Sequence, residues 1–431
     1  MRRWTGSAVI VLLAACSGTD DPNRAASGSV DTDERYDLAR LVDLYESRDY
    51  FALRERLGEP VGDEPPEVQL LRAALLHSFN EPERSNAVLA LLLREPALSD
   101  SLRYEARMIR LRNDLRLHRY ASAGAVLDSV LEEPPAVADS SALADLRNMS
   151  RLTRALEAVP PQRVASRAAT SLSRVERGHV QVTIGDSVRD YAIDTGANFS
   201  FLIESEAELL GLDVRPAGLD VGTSTDARVT ANLAVADRME IGGIELQNVV
   251  FLVFPDEMFT FPGLVIRGII GFPVLEALGE LRFRKGGPIE IPAEVPEREV
   301  RNLALHQLTP LVEVGYGDDE LLCRFDTGAN TTEFYEPFYR RYRDRVEAEG
   351  APDTVRTGGA GGIRELPGYR MQGMNLGIGG ATVTLPESHV HTRVLTRTSE
   401  ENDLYCNVGL DMLADFEEYI LNFRSMSLVL R

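Results

Sequence analysis

At 431 residues the chain is longer than one ordinary hydrophobic core accommodates, so two or three domains are expected. Apolar residues make up 44% and charged residues 26%, close to the averages of soluble globular domains, which argues against a mostly disordered chain. The formal charge of −21, with no cluster of Lys and Arg to neutralise phosphates, argues against a nucleic-acid partner and for an acidic, solubilising surface.

Arg2 and Arg3 precede an apolar run from Ala8 to Ala15 that ends in Leu13-Ala14-Ala15-Cys16. A charged head and a short apolar core have the form of a secretory signal, too short to span a bilayer as a mature helix. The last four residues resemble a bacterial lipobox, which implies a signal peptide over residues 1–15, lipidation of Cys16 and a membrane anchor through that lipid. Ser17, where inner-membrane lipoproteins of Gram-negative envelopes carry Asp, implies the outer membrane in such an envelope, its face left open. An ordinary signal peptide with an accidental cysteine is the alternative. Residues 16–35 are nearly free of apolar side chains and read as a flexible tether.

From residue 36 to about 160 the apolar residues recur at helical spacing, as in Leu38, Leu41, Val42 and Leu44. Helices are predicted over Val68 to His77, Glu83 to Arg94, Leu102 to Leu115, Ala121 to Leu131 and Ser141 to Leu156, separated by breaks at Pro60, Pro65-Pro66, Pro96 and Pro134-Pro135. Successive helices with short breaks are similar to a tetratricopeptide-type solenoid, although the usual Trp, Gly and Tyr positions of that repeat are not regularly present. Such an array would offer a concave surface to a protein partner or serve as a packing scaffold for the C-terminal half of the chain.

A linker is expected over residues 161–175, after which the period changes to two. Val180, Val182 and Ile184 alternate with polar residues, Gly185-Asp186 offers a turn, and Val188 to Ile193 returns as a second strand. It delivers the chain to Asp194-Thr195-Gly196-Ala197-Asn198. The same five-residue word recurs as Asp326-Thr327-Gly328-Ala329-Asn330, 132 positions later (326 − 194), again after a predicted hairpin, Pro310 to Val314 and Leu321 to Phe325. Short helical stretches follow both copies, Ile203 to Leu210 and Phe334 to Val346. Glycine-containing hairpins come next, around Thr223-Ser224 and around Gly358-Gly359. Further on, Gly268-Ile269-Ile270-Gly271 is matched by Cys406-Asn407-Val408-Gly409, and each half closes with a strand, Leu281 to Phe283 and Tyr419 to Phe423.

This doubled pattern resembles the aspartic peptidase superfamily, retropepsin-like members in particular, over roughly residues 176 to 431. The resemblance implies an all-β bilobal fold after an all-α helical-repeat domain, with lobe 1 over 176–296 and lobe 2 over 297–431. It implies an Asp194–Asp326 dyad, with Thr195 and Thr327 bracing opposite loops and Gly196 and Gly328 admitting close backbone approach. It further implies flaps at Thr223, Ser224, Gly358 and Gly359, and a substrate cleft lined by Ala197, Ala329, Ile269, Asn407 and Val408. Two carboxyl groups about 3 Å apart cannot both ionise, so one deprotonates water while the other donates to the substrate carbonyl, which needs no cofactor or metal. Which aspartate does which is left open. Both loops lie in one chain, so the catalytic unit is expected to be monomeric and to act on a polypeptide in the cell envelope. The alternative is a noncatalytic receptor or scaffold that binds protein partners through its helices.

Several departures from the family pattern stand out. Asn407 replaces an apolar residue, which implies a more polar or slightly rearranged pocket in the second lobe. Neither flap carries the tyrosine typical of pepsin-like enzymes, and Ala197 and Ala329 stand where those enzymes often carry Ser or Thr, so that fewer hydrogen bonds to the carboxylates imply activity nearer neutral pH. In the family the strands bearing Cys323 and Cys406 run side by side, so these residues form either a disulfide or two buried thiols. His389 and His391 alternate on a strand without further ligands at metal spacing and are expected on a solvated face. The absence of a G-x-S-x-G elbow disfavours a serine hydrolase. Asn-x-Ser/Thr matches at Asn198 and Asn330 fall inside the two loops and read as coincidental.

Overall fold

The computed structural model describes residues 36–60, 62–132, 140–174, 178–222, 228–261, 263–359, 362–394 and 403–431. The expected signal, Cys16, the tether, Thr223 and Ser224 lie outside them.

Seven helices open the described chain: α1 (Leu38–Glu46), α2 (Tyr50–Leu57), α3 (Pro66–Ser78), α4 (Pro82–Leu92), α5 (Asp100–Arg116), α6 (Tyr120–Glu132) and α7 (Ser140–Leu156). Their starts follow from capping chemistry. The side chains of Asp37, Asp49 and Ser99 accept from the backbone N–H groups of Arg40, Ala52 and Leu102, while Pro66 and Pro82 occupy first-turn positions that need no N–H partner. The five helices expected from Val68 onward coincide with α3 to α7. Leu70, Leu89, Leu92, Ala106 and Ile109 bury the apolar faces of α3 to α5, and Leu111, Leu127, Val130 and Leu146 continue the core to α7.

A buried polar line crosses this core: His77 Nδ1 lies 2.8 Å from Asn113 Oδ1, and Asn113 Nδ2 donates to Ser85 Oγ at 2.8 Å and to Asn86 Oδ1 at 2.9 Å. Burial and the charge of Arg116 push the His77 imidazolium down to about 3, so the ring is neutral. Arg116 then ties the helices to the β-rich half. Its Nη1 donates to the His77 carbonyl at 2.8 Å, and its Nε and Nη2 reach Glu276 Oε1 at 3.0 and 2.9 Å. Asn80 Nδ2 donates to the Phe423 carbonyl at 2.6 Å, and the Tyr50 hydroxyl lies 2.8 Å from His306 Nδ1. Helix α7 lies along the strand Val214–Gly222, where Asn148 and the Asp220 backbone exchange hydrogen bonds of 2.7 and 2.9 Å and Leu152 and Leu156 share a core with Leu219.

The stretch expected as a linker is not a free connection. Arg163–Ser166 pairs with the strand Ile244–Phe254, and Thr170–Leu172 pairs with Ile289–Ile291, so the chain is stapled to two sheets before the first hairpin begins.

Each of the two large sheets has eight strands, and their central topology is the same. In the first, Val180–Ile184 and Ser187–Ile193 form the expected hairpin, and Gly268–Ile270 runs parallel to the returning strand with Ile269 opposite Ala192. In the second, Thr309–Tyr316 pairs with Asp319–Phe325, and Cys406–Val408 runs parallel to the return with Asn407 opposite Arg324. Both crossing segments are also antiparallel to a short strand that follows the motif loop, Ser200–Ile203 or Glu333–Phe334. Cys323 and Cys406 are joined by a disulfide with an S–S distance of 2.09 Å.

The strands expected to close each lobe pair with one another: Glu280–Arg284 is antiparallel to Glu418–Asn422, with Leu281 opposite Leu421, inside a five-stranded sheet shared by the lobes. Phe272 of the first lobe meets Phe423 of the second edge to face at 5.2 Å. Glu280 is fully buried in this junction. Burial alone would raise its carboxyl, but hydrogen bonds from Asn422, Arg282 and Arg298 outweigh it and hold the group below the ordinary carboxylate range.

His391 departs from the solvated face expected for it. It is fully buried, with Nε2 3.0 Å from Glu333 Oε2, and its strand, Ala381–His391, is internal to the sheet, paired on one side with Glu333–Phe334 and on the other with Gly362–Ile378. Among the described residues no group of three or more His, Cys, Asp or Glu side chains could hold a metal ion, and no helix is long and apolar enough to cross a membrane.

Candidate active site

Each five-residue motif forms a loop at the end of a return strand, and the parallel crossing segment clamps it from both sides. The Asp194 N–H donates to the Ile270 carbonyl at 3.0 Å and the Phe272 N–H to the Ala197 carbonyl at 2.8 Å; in the second lobe Asp326 donates to Val408 at 3.0 Å and Leu410 to Ala329 at 2.9 Å. A hydroxyl six positions after each aspartate completes the clamp. Ser200 Oγ accepts from the Gly271 N–H and Thr332 Oγ1 from the Gly409 N–H, both at 3.0 Å. These two hydroxyls escaped the sequence reading, although the same 132-residue offset relates them and both sit in the Asn-x-Ser/Thr matches set aside as coincidental.

The loops meet through their threonines. The Thr195 N–H donates to Thr327 Oγ1 at 3.1 Å and the Thr327 N–H donates to Thr195 Oγ1 at 3.0 Å. Each hydroxyl donates onward to the opposite strand end, Thr195 to the Phe325 carbonyl at 3.1 Å and Thr327 to the Ile193 carbonyl at 3.4 Å. The glycines at the next position are required by contact. A Cβ on Gly328 would sit 2.5 Å from Asp194 Cγ, and one on Gly196 would sit 2.6 Å from Asp326 Cγ.

This closeness sets the carboxyl groups of Asp194 and Asp326 beside one another, each lying against the glycine of the opposite loop. The backbone N–H of Gly196 donates to Asp194 Oδ1 at 2.7 Å, and that of Gly328 donates to Asp326 Oδ1 at 2.9 Å. Burial and the charge of Asp326 push the Asp194 carboxyl up to about 7, against the opposing influence of Arg324 and the Gly196 N–H. A pair of carboxyls so arranged can hold one proton between them near neutral pH, which gives one general base and one acid at the same place.

Of the residues expected to line the substrate site, Ala197, Ala329, Ile269 and Asn407 are half-buried around the loops. Asn407 Nδ2 donates to Asp326 Oδ2 at 3.1 Å. Val408 does not belong with them. It is 1% exposed in the main core, because successive side chains of a strand point to opposite faces and Asn407 takes the one toward the dyad. Val408 contributes its carbonyl to the loop clamp instead. Gly358 and Gly359 end the strand Ala351–Gly359, which pairs with Gly362–Ile378 as a hairpin. The sequence reading also passed over Arg324, whose Nη2 lies 3.6 Å from Asp326 Oδ2 and donates to the Gly196 carbonyl at 2.6 Å across the lobe junction. Its signal was present in the repeat comparison, where Ala192 holds the equivalent place.

None of the curated proteins compared with the chain matches it. Among solved structures, a retropepsin-like aspartic protease from Rickettsia conorii is similar at 18% identity, with 29% of this chain and 90% of that chain covered and a TM-score of 0.22. Residues 180–274, which include Asp194, its loop and the segment that crosses behind it, match the family model described as aspartyl protease, and this match supports an aspartic-type peptidase.

Proposed function

We propose that the chain is an aspartic endopeptidase in which Asp194 and Asp326 activate water against a peptide bond. The observation that carries this reading is the reciprocal pair of threonine hydrogen bonds, which sets two carboxyl groups from corresponding loops side by side, each against the other loop's glycine. One carboxylate takes a proton from water as the water oxygen attacks the carbonyl, and the other carboxyl donates to the carbonyl oxygen, giving a noncovalent gem-diol. No step calls for a metal or an enzyme-bound intermediate.

The substrate in this reading is a polypeptide of the cell envelope, reached by a chain anchored through a lipid on Cys16 and working as a monomeric catalytic unit. The helical array is read as tetratricopeptide-like, offering a surface for a protein partner. What supports a structural role for it besides is its attachment through Arg116 to Glu276 and through α7 to the hairpin strand Val214–Gly222.

The test is cleavage of a diverse peptide library across pH by the full chain, beside Asp194→Ala and Asp326→Ala. Loss of all cleavage in both variants is expected from one shared dyad. A folded parent that cleaves nothing at any pH would replace this reading with a noncatalytic scaffold.

A further inference from the structure

We propose that Arg324 and Asn407 are positioning residues that divide the labour of the dyad, holding Asp326 as the ionised base and leaving the shared proton on Asp194. The inference rests on the peptidase reading and deepens it, because the two motif loops are otherwise equivalent: each aspartate receives one backbone N–H from the glycine two positions on and each loop is clamped by the same pair of backbone bonds.

The asymmetry lies in one register pair of each lobe. Behind Asp194, Ala192 faces Ile269 on the parallel crossing strand, and both side chains are apolar. Behind Asp326, Arg324 faces Asn407 in the matching register. Asn407 Nδ2 donates to Asp326 Oδ2 at 3.1 Å, Arg324 Nη2 stands 3.6 Å from the same oxygen, and the Gly328 N–H holds the other oxygen at 2.9 Å. A cation and two N–H donors all favour the charged form of the carboxyl they meet. Among the described residues the side-chain donor and the ion-pair contact are made to Asp326, while Arg324 acts on Asp194 through its charge without such a contact. Arg324 is itself fixed by its 2.6 Å bond to the Gly196 carbonyl, so the cation cannot leave without breaking a tie between the loops. Among the described residues, the charged groups that act on Asp194 are Asp326 and Arg324.

The steps then have assigned atoms. Water gives a proton to Asp326 as its oxygen bonds to the scissile carbon, and Asp194 passes its proton to the carbonyl oxygen. When the C–N bond breaks, the proton on Asp326 goes to the leaving nitrogen and a gem-diol hydroxyl returns one to Asp194, which restores the starting state.

The experiment is a carboxyl-13C NMR titration of the full chain labelled at aspartate, with the two signals assigned by Asp194→Asn and Asp326→Asn. It is paired with pH profiles of kcat/KM for Arg324→Ala, Arg324→Lys, Asn407→Ile and the Arg324→Ala/Asn407→Ile double variant. In the parent, Asp326 is expected to ionise first. The double variant copies the first lobe, and its Asp326 midpoint should rise by about 1 to 3 pH units, carrying the acid limb of kcat/KM with it, whereas Arg324→Lys should keep the limb near the parent position. A packing role alone would lower activity or melting temperature without moving either readout. Asp194 ionising first in the parent, or an unmoved Asp326 midpoint in the double variant, would overturn the assignment. A parent that titrates in the expected order yet cleaves no peptide would leave the assignment standing and refute the peptidase reading, so the two failures are distinguishable.

Discussion

Thr195 and Thr327, 132 residues apart, each donate a backbone N–H to the other's hydroxyl, at 3.1 and 3.0 Å, and each hydroxyl donates onward to the strand end beside its partner's aspartate. Both side chains are buried, at 0% and 8% exposure, so water cannot replace a lost partner. Thr195→Val keeps the shape and deletes an acceptor and a donor, stranding the Thr327 N–H and the Phe325 carbonyl. The variant should lose on the order of 2 to 4 kcal/mol of stability and most of its peptidase activity, whereas Thr195→Ser should retain both. Chemical denaturation and peptide turnover, measured side by side, check this.

The pH dependence follows from Asp194, whose carboxyl is pushed up to about 7 by burial and by Asp326. Cleavage should fall by about tenfold per pH unit above that value, as the last shared proton is lost. The effect on stability has the sign of a raised acid. The folded chain holds this proton across a window, about 4 to 7, in which an unfolded carboxyl has released it, so the contribution is present below the window and lost as pH rises through it. Asp194→Asn removes the burden of a second buried charge. The variant's unfolding free energy should therefore climb relative to the parent as pH rises, by an amount on the order of 1 to 3 kcal/mol above pH 7, and its melting temperature with it. A constant difference between the two chains from pH 4 to pH 8 would contradict it.

Periodicity and repetition carried the sequence reading where the physics is local. The helix starts at Pro66, Pro82 and Ser99, the two hairpins and the motif loops are written in capping residues, turn glycines and alternating side chains. What it missed depends on contacts between distant segments. Nothing near Leu281 states that it will face Leu421 in a shared sheet, and nothing near residues 163–172 states that both ends of that stretch will be paired. Val408 was assigned to the wrong face because the strand's phase was unknown, and one residue of phase exchanges core for site. Arg324 could have been found by comparing the residues two positions before each aspartate, since a cation there in only one copy is a difference that packing does not require.

The disulfide between Cys323 and Cys406 closes a chain segment with a sequence separation of 83 and joins the return strand of the second lobe to its crossing segment. It lies three residues before both Asp326 and Gly409, on the opposite face from Arg324 and Asn407. Replacing both cysteines by alanine frees the denatured chain and should lower stability by about 2 to 4 kcal/mol. The first lobe has no such bond, so the loss should fall first on the second. Hydrogen exchange of the double variant should show faster opening at Leu321–Phe325 than at Tyr191–Ile193; equal rates at the two sites would count against the bond as a local staple.

The Arg116–Glu276 pair joins the helical half to the first lobe with side chains 2% and 18% exposed, so its two members should respond differently to substitution. Glu276→Ala leaves a buried guanidinium whose remaining acceptor is the His77 carbonyl, and should destabilise the chain by about 3 to 5 kcal/mol. Arg116→Met together with Glu276→Met removes both charges and refills the space, and should recover most of that loss. If the helices serve as a brace for the catalytic half, Glu276→Ala should also separate a helical melting step from the β-rich one in a calorimetric scan. The double variant should restore a single transition; two transitions in the parent itself would mean that the halves unfold independently and that the helices do not brace the β-rich half.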